Sequence, residues 1–86
     1  MFKVYEIVVD RKKYIGCTGE TLAVRMSKHR HDAGRFDRPL YQAMNKAGLF
    51  NATVKILHQF SDRKRALATE ARLIKQTKPS LNVYLK

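Results

Sequence analysis

Tryptophan is absent and cysteine occurs once, at Cys17, so no disulfide can form within the chain. No CxxC or Cys/His grouping of zinc-site spacing occurs either, which leaves packing as the source of stability and a reducing compartment as the expected setting. Cys17 itself reads as a small buried residue. No run of about 18 apolar residues is present, which excludes a membrane-crossing helix. The opening Met1-Phe2-Lys3-Val4-Tyr5-Glu6 lacks the charged-then-apolar order of a secretory signal. A soluble protein of the cytoplasm is expected. Acidic residues are also scarce, with seven Asp+Glu against eighteen Lys+Arg and a net charge of +11. The excess runs along the whole sequence, so the expected partner is a polyanion, nucleic acid before all others. No basic helix carries a broad Trp/Phe face, which argues against a membrane surface. At 86 residues there is room for one domain, 1–86, with no repeats and no low-complexity linker.

What is present reads as an α+β fold in the order β-β-α-α-β-α, a small antiparallel sheet of about three strands flanked by helices. Residues 2–9 are β-branched and aromatic, with Phe2, Val4 and Val8 on one face and Tyr5, Ile7 and Val9 on the other. Asp10-Arg11-Lys12 breaks the run before a second strand, Lys13 to Cys17, making a hairpin. A helix capped within Thr18 to Thr21 runs to about Asp32, with Leu22 and Met26 on its inner face. Residues 33–38 form a loop, Pro39 opens a helix continuing through Leu40 to Ala47, and Gly48 closes it. Ala52 to Phe60 alternates, with Val54, Ile56 and His58 opposed to Thr53, Lys55 and Leu57. Ser61 or Asp62 caps a last helix from Arg63 to Thr77, its inner stripe being Leu67, Ala71 and Ile74. Pro79 stops it, and Leu81 to Leu85 reads as a closing strand or extended tail.

Few residues in this frame suit chemistry. Glu70 stands alone among Arg63, Lys64, Arg65, Arg72 and Lys75, at the edge of the expected inner stripe. A salt bridge on its own helix is the commoner fate of such a carboxylate; the other is a single hard oxygen ligand for hydrated Mg²⁺. Arg25 and His29 share a helix face one turn apart, where they are either part of a phosphate-contact surface with Lys28, Arg30 and His31, or a guanidinium fork and a proton relay. Tyr5 and Tyr14 share a sheet face if the hairpin register allows. Strand tyrosines are ordinarily packing residues, and a phenol becomes a useful base only with help from a cation or a metal-bound water. Asn82 reads as a turn former or as a residue at the rim of a site.

Taken together, these residues resemble the GIY-YIG nuclease family over essentially the whole chain. Lys3-Val4-Tyr5 stands where the family has Gly-Ile-Tyr, and Tyr14-Ile15-Gly16 is the second half unaltered. Thr18 to Arg25 is similar to the following helix with its arginine, and Lys28-His29 to the histidine one turn later. Ala68 to Ile74 is similar to the glutamate helix, and Pro79-Ser80-Leu81-Asn82 to the terminal asparagine motif. Lys3 in place of the first glycine is a departure that affects the backbone near Tyr5.

The resemblance implies metal-dependent phosphodiester hydrolysis in DNA. Tyr5 would help activate water with Tyr14 in support, or the two phenols with roles exchanged. Arg25 would steady the phosphate and His29 assist proton transfer, while Glu70 would hold one Mg²⁺ or Mn²⁺ and Asn82 help shape the site. No small-molecule cofactor is expected. Nucleic-acid contacts are expected from Lys13, Lys28, Arg30, Arg35, Arg38 and Asn82. With no appended binding domain in the sequence, specificity would be low, directed to unusual DNA structures, or supplied by a targeting protein or a homodimer. The alternative is a basic nucleic-acid-binding module that keeps the fold without catalysis.

Overall fold

Val9 and Lys12 are cross-strand partners, which leaves Asp10 and Arg11 as the whole of the first connection, and both have positive φ, 52° and 64°. Two such residues in a two-residue loop are the mark of a type I′ turn, whose twist matches that of the strands it joins. The computed structural model describes residues 1–82 as β1 (Phe2–Val9), β2 (Lys12–Thr18), α1 (Leu22–Ala33), α2 (Pro39–Ala47), β3 (Thr53–Phe60) and α3 (Arg63–Thr77). The element order and α+β class are those expected from the sequence.

The strands form one antiparallel sheet in the order β2-β1-β3, so β1 is central and both of its faces are covered. This is why residues 2–9 are apolar on both sides. Tyr5, Ile7 and Val9 pack with Met26 and Ala33 of α1, Leu40, Tyr41 and Met44 of α2, and Leu81. On the opposite face Val4 and Ile15 pack with Ala66 of α3, and the half-buried Cys17 lies against this second cluster.

Two expectations change. Val4 pairs with His58 but Tyr5 with Ile56, so Leu57 is an extra residue and strict alternation along β3 breaks there. His58 shares the face of Phe2 and Val4, its ring stacked 6.1 Å from that of Phe60, instead of following Val54 and Ile56. The second change concerns α3, which Asp62 caps by accepting from the Lys64 N–H at 3.0 Å. Its inward face is Ala66, fully buried, with Thr69, Glu70, Leu73 and Ile74 half-buried, while Leu67 is 42% exposed and Ala71 is exposed. The helix is turned by about one residue, roughly 100°, from the Leu67-Ala71-Ile74 reading. Ala66, with almost no side chain, lets α3 approach Val4 and Ile15, and this moves Glu70 from the edge of the inward face into it.

After α3 the chain returns to the free edge of β2. The Leu81 N–H donates to the Lys13 carbonyl at 3.0 Å, and the Asn82 side chain bonds both backbone groups of Ile15. Leu81 and Asn82 lie in a turn and bend, not the expected strand; Val83, Tyr84 and Leu85 lie outside the described residues. No helix among the described residues is long and apolar enough to cross a membrane.

Arg11 carries the cost of a left-handed backbone with a side chain that does not favour it, whereas Asp10 is among the residues that tolerate it. Replacing them by Asn-Gly is expected to stabilise the fold by about 1 kcal/mol and raise Tm by roughly 4–8 °C. Thermal unfolding followed by circular dichroism measures this, and an unchanged Tm contradicts the turn assignment.

Candidate active site

The hairpin register pairs Tyr5 with Gly16 and Ile7 with Tyr14, so the two tyrosines lie diagonally on one sheet face, ring centroids 6.4 Å apart. Gly16 makes this arrangement possible. A Cβ there would fall 2.5 Å from the Tyr5 hydroxyl oxygen and 3.0 Å from the Tyr14 ring, so any side chain would push one phenol away. Above this face α1 begins at Thr21, whose hydroxyl accepts from the Val24 N–H, and one turn later presents Arg25 and His29 to the phenols.

The Tyr5 hydroxyl is the hub. It lies 2.8 Å from His29 Nε2 and accepts from Arg25 Nε–H at 3.3 Å. Arg25 can only donate, so Tyr5 directs its own proton to Nε2, the one acceptor it reaches among the described residues. His29 is then the neutral tautomer with its proton on Nδ1, donated to the Tyr41 hydroxyl at 3.1 Å. A directed chain results: Arg25 to Tyr5, Tyr5 to His29, His29 to Tyr41.

Burial supports this protonation pattern. His29 is 1% exposed, and burial together with the nearby Arg25 lowers its pKa from 6.5 to about 4, so it is neutral at physiological pH. Burial, then the neighbouring Tyr14, holds Tyr5 well above the ordinary phenol value; burial also raises Tyr14 and Tyr41. No phenolate exists at rest.

Glu70 faces the same phenols through its charge, which raises both Tyr5 and Tyr14. The salt bridge on its own helix is not formed: the ion pairs among the described residues are Lys13–Glu6, Lys28–Glu20 and Lys55–Glu6. Burial raises the Glu70 pKa with no cation opposing it. A half-dehydrated carboxylate without a partner is a hard oxygen donor suited to Mg²⁺ or Mn²⁺. No cluster of three or more His, Cys, Asp or Glu able to hold a metal occurs among the described residues, so an ion here would take most of its ligands from water and substrate.

A polar cavity of about 180 Å³ opens beside the phenols, lined by Tyr14, Arg38, Leu40, Tyr41, Leu81 and Asn82. A larger one, about 540 Å³, lies along α3 between Ala71, Ile74, Lys75 and Lys78; it is apolar and none of the candidate residues lines it. The structure thus brings together Tyr5, Tyr14, Arg25, His29 and Glu70, with Arg38 and Asn82 at the cavity. Asn82 is differently engaged than a substrate contact would be: Oδ1 accepts from the Ile15 N–H at 2.9 Å and Nδ2 donates to the Ile15 carbonyl at 2.8 Å. It clamps the strand that carries Tyr14. Lys13 and Lys28 are ion-paired, at 3.9 and 2.6 Å. Arg30 lies over Phe50, and Arg35 and Arg38 flank Phe36. Tyr41 was not singled out by the sequence; its only signal there is its position one turn before Met44 and Asn45 in an amphipathic helix.

Because His29 is neutral when folded but titrates near 6.5 when unfolded, the unfolded state binds the extra proton as pH falls from about 6.5 toward 4, and stability is lost over that window. Urea unfolding is expected to give about 2 kcal/mol less stability from His29 at pH 5 than at pH 8, and His29→Gln to remove that part of the pH dependence. An identical pH dependence in the variant contradicts a neutral buried imidazole.

The sequence model described as the GIY-YIG catalytic domain matches residues 1–84. No curated protein and no solved structure matches the chain. The match spans nearly the whole sequence and agrees with the α+β architecture and the paired tyrosines, so the chain belongs to the GIY-YIG family, whose domains are typically nucleases.

Proposed function

We propose that residues 1–86 act as a single nuclease domain that hydrolyses DNA phosphodiesters with one divalent cation, Mg²⁺ or Mn²⁺. The observation that carries this reading is the Tyr5 hydroxyl held between Arg25 Nε and His29 Nε2 within the influence of an unpaired Glu70.

The remaining N–H groups of Arg25 are free to fork onto a phosphate oxygen, where they stabilise charge that develops only in the transition state. As water attacks phosphorus, its proton passes to the Tyr5 oxygen while the Tyr5 proton moves to Nε2 of His29. No phenolate has to form in a buried site. The positive charge gained by His29 lies beside the negative charge growing on the phosphate, and its Nδ1 proton is held toward Tyr41, which borders the cavity. Tyr14, half-buried and lining that cavity, positions the water or the phosphate. Glu70 would hold the cation, which when bound offsets charge on the leaving oxygen.

Intrinsic sequence specificity is low in this reading, because the contacts that the site offers are to phosphate, which carries no sequence information; a targeting protein or a second copy would supply it. Plasmid nicking tests the proposal. Nicking is expected with Mg²⁺ and lost with EDTA or Glu70→Ala; DNA retention without cleavage under every condition indicates a binding module instead. Glu70→Gln is expected to be inactive yet more stable than the natural protein at pH 8 in urea unfolding, since its carboxylate is dehydrated without compensation.

Arg25→Ala is expected to lower the cleavage rate by about 10²-fold or more while keeping much of the DNA affinity, because the remaining cations still carry binding. Tyr41→Phe is expected to slow cleavage roughly ten-fold, as the far end of the proton chain is removed. Single-turnover rates and filter binding separate the two effects, and unchanged rates in both variants contradict the mechanism.

A further inference from the structure

Phe36 occupies the connection between α1 and α2 and is 46% exposed, although nothing in the family's catalytic motif requires an aromatic ring there. Its backbone is hydrogen-bonded. The N–H groups of Arg35 and Phe36 both donate to the Asp32 carbonyl, at 2.9 and 2.8 Å, and Asp37 accepts from Gln42 at 2.7 Å, so the connection is tied to both helices.

The guanidinium carbons of Arg35 and Arg38 each lie 5.7 Å from the Phe36 ring centre, and neither arginine has an ion pair among the described residues. Arg38 also lines the cavity with Tyr14, Tyr41 and Asn82. An exposed ring flanked by two unpaired guanidinium groups, one of which reaches the site, combines a π surface with charge for the flanking phosphates. Binding sites for single-stranded nucleic acid have this composition. Bases inside a duplex are already stacked and offer no such face.

We propose that Phe36 is a stacking platform for an unpaired DNA base, and that the preferred substrate of this domain is DNA with a single-stranded stretch beside the scissile phosphate. The stacking site stands on Phe36 and its arginines; its relation to cleavage rests on the nuclease reading above. Phe50 is the internal comparison: it is 82% exposed with Arg30 at 4.7 Å, yet neither residue lines the cavity.

The test measures binding of the full chain in EDTA, by fluorescence anisotropy, to a duplex with a single-stranded tail and to a blunt duplex, the tail carrying 2-aminopurine as a stacking reporter. Phe36→Ala is expected to weaken binding to the tailed DNA roughly ten-fold and abolish the reporter change, leaving blunt-duplex affinity and its salt slope as they were. Phe36→Trp is expected to retain both. Equal affinity of Phe36→Ala and the natural protein for tailed DNA, equal losses on both DNAs, or removal of the preference by Phe50→Ala to the same extent would overturn the proposal. Plasmid nicking with Mg²⁺ is read separately. A protein that never nicks but shows the Phe36-dependent preference loses the hydrolytic reading and keeps the stacking site; one that nicks without that preference does the reverse.

Discussion

A phenol buried at the centre of a sheet must place its hydroxyl hydrogen somewhere, and among the described residues Tyr5 has one acceptor for it, the Nε2 of His29. That constraint settles the imidazole tautomer, orients Tyr41 and fixes α1 against β1. Gly16 is bare because the Tyr5 ring occupies the space above it. The site and the larger hydrophobic core therefore share residues, for Tyr5 and Tyr41 belong to the same cluster as Ile7, Val9 and Met44. The candidate site and the packing are built from one set of contacts, in a domain with little interior to divide.

Much of this architecture is legible in the sequence because its signals are local. The Pro39 start and Gly48 end of α2, the Asp62 cap of α3 and the apolar run of β1 each follow from residues close together in the chain. The gathering of Tyr5, Tyr14, Arg25, His29 and Glu70 was also foreseeable, given the spacing of the two tyrosine motifs and the helix that follows them. The rotation of α3 was not. An alanine that fits closely against Val4 and Ile15 outranked a larger leucine in choosing the buried face, and hydropathy alone cannot foresee that outcome. The bulge at Leu57 and the role of Tyr41 are likewise invisible, since both arise from partners distant in the chain. Asn82 shows the same limit: its motif is recognisable, but only the fold shows its amide pairing with Ile15.

The unpaired Glu70 and the low pKa of His29 point in one direction. Each places an ionisable group where folding alone would prefer an apolar one; the Tyr5 and Tyr41 hydroxyls satisfy His29, whereas no cation opposes the burial of Glu70. Such local conflicts between stability and environment concentrate where a protein handles charge. The basic surface is a separate matter, since Arg25 is the one lysine or arginine among the described residues that hydrogen-bonds a phenol.

The clamp between Asn82 and Ile15 joins positions 67 residues apart in sequence, and it holds the strand that carries Tyr14. Closing a loop of this length costs more conformational entropy than closing the two-residue turn of the hairpin. The edge of β2 beside Tyr14 is therefore secured by a residue from the far end of the sequence, and the hollow cannot take its final shape until residue 82 is in place.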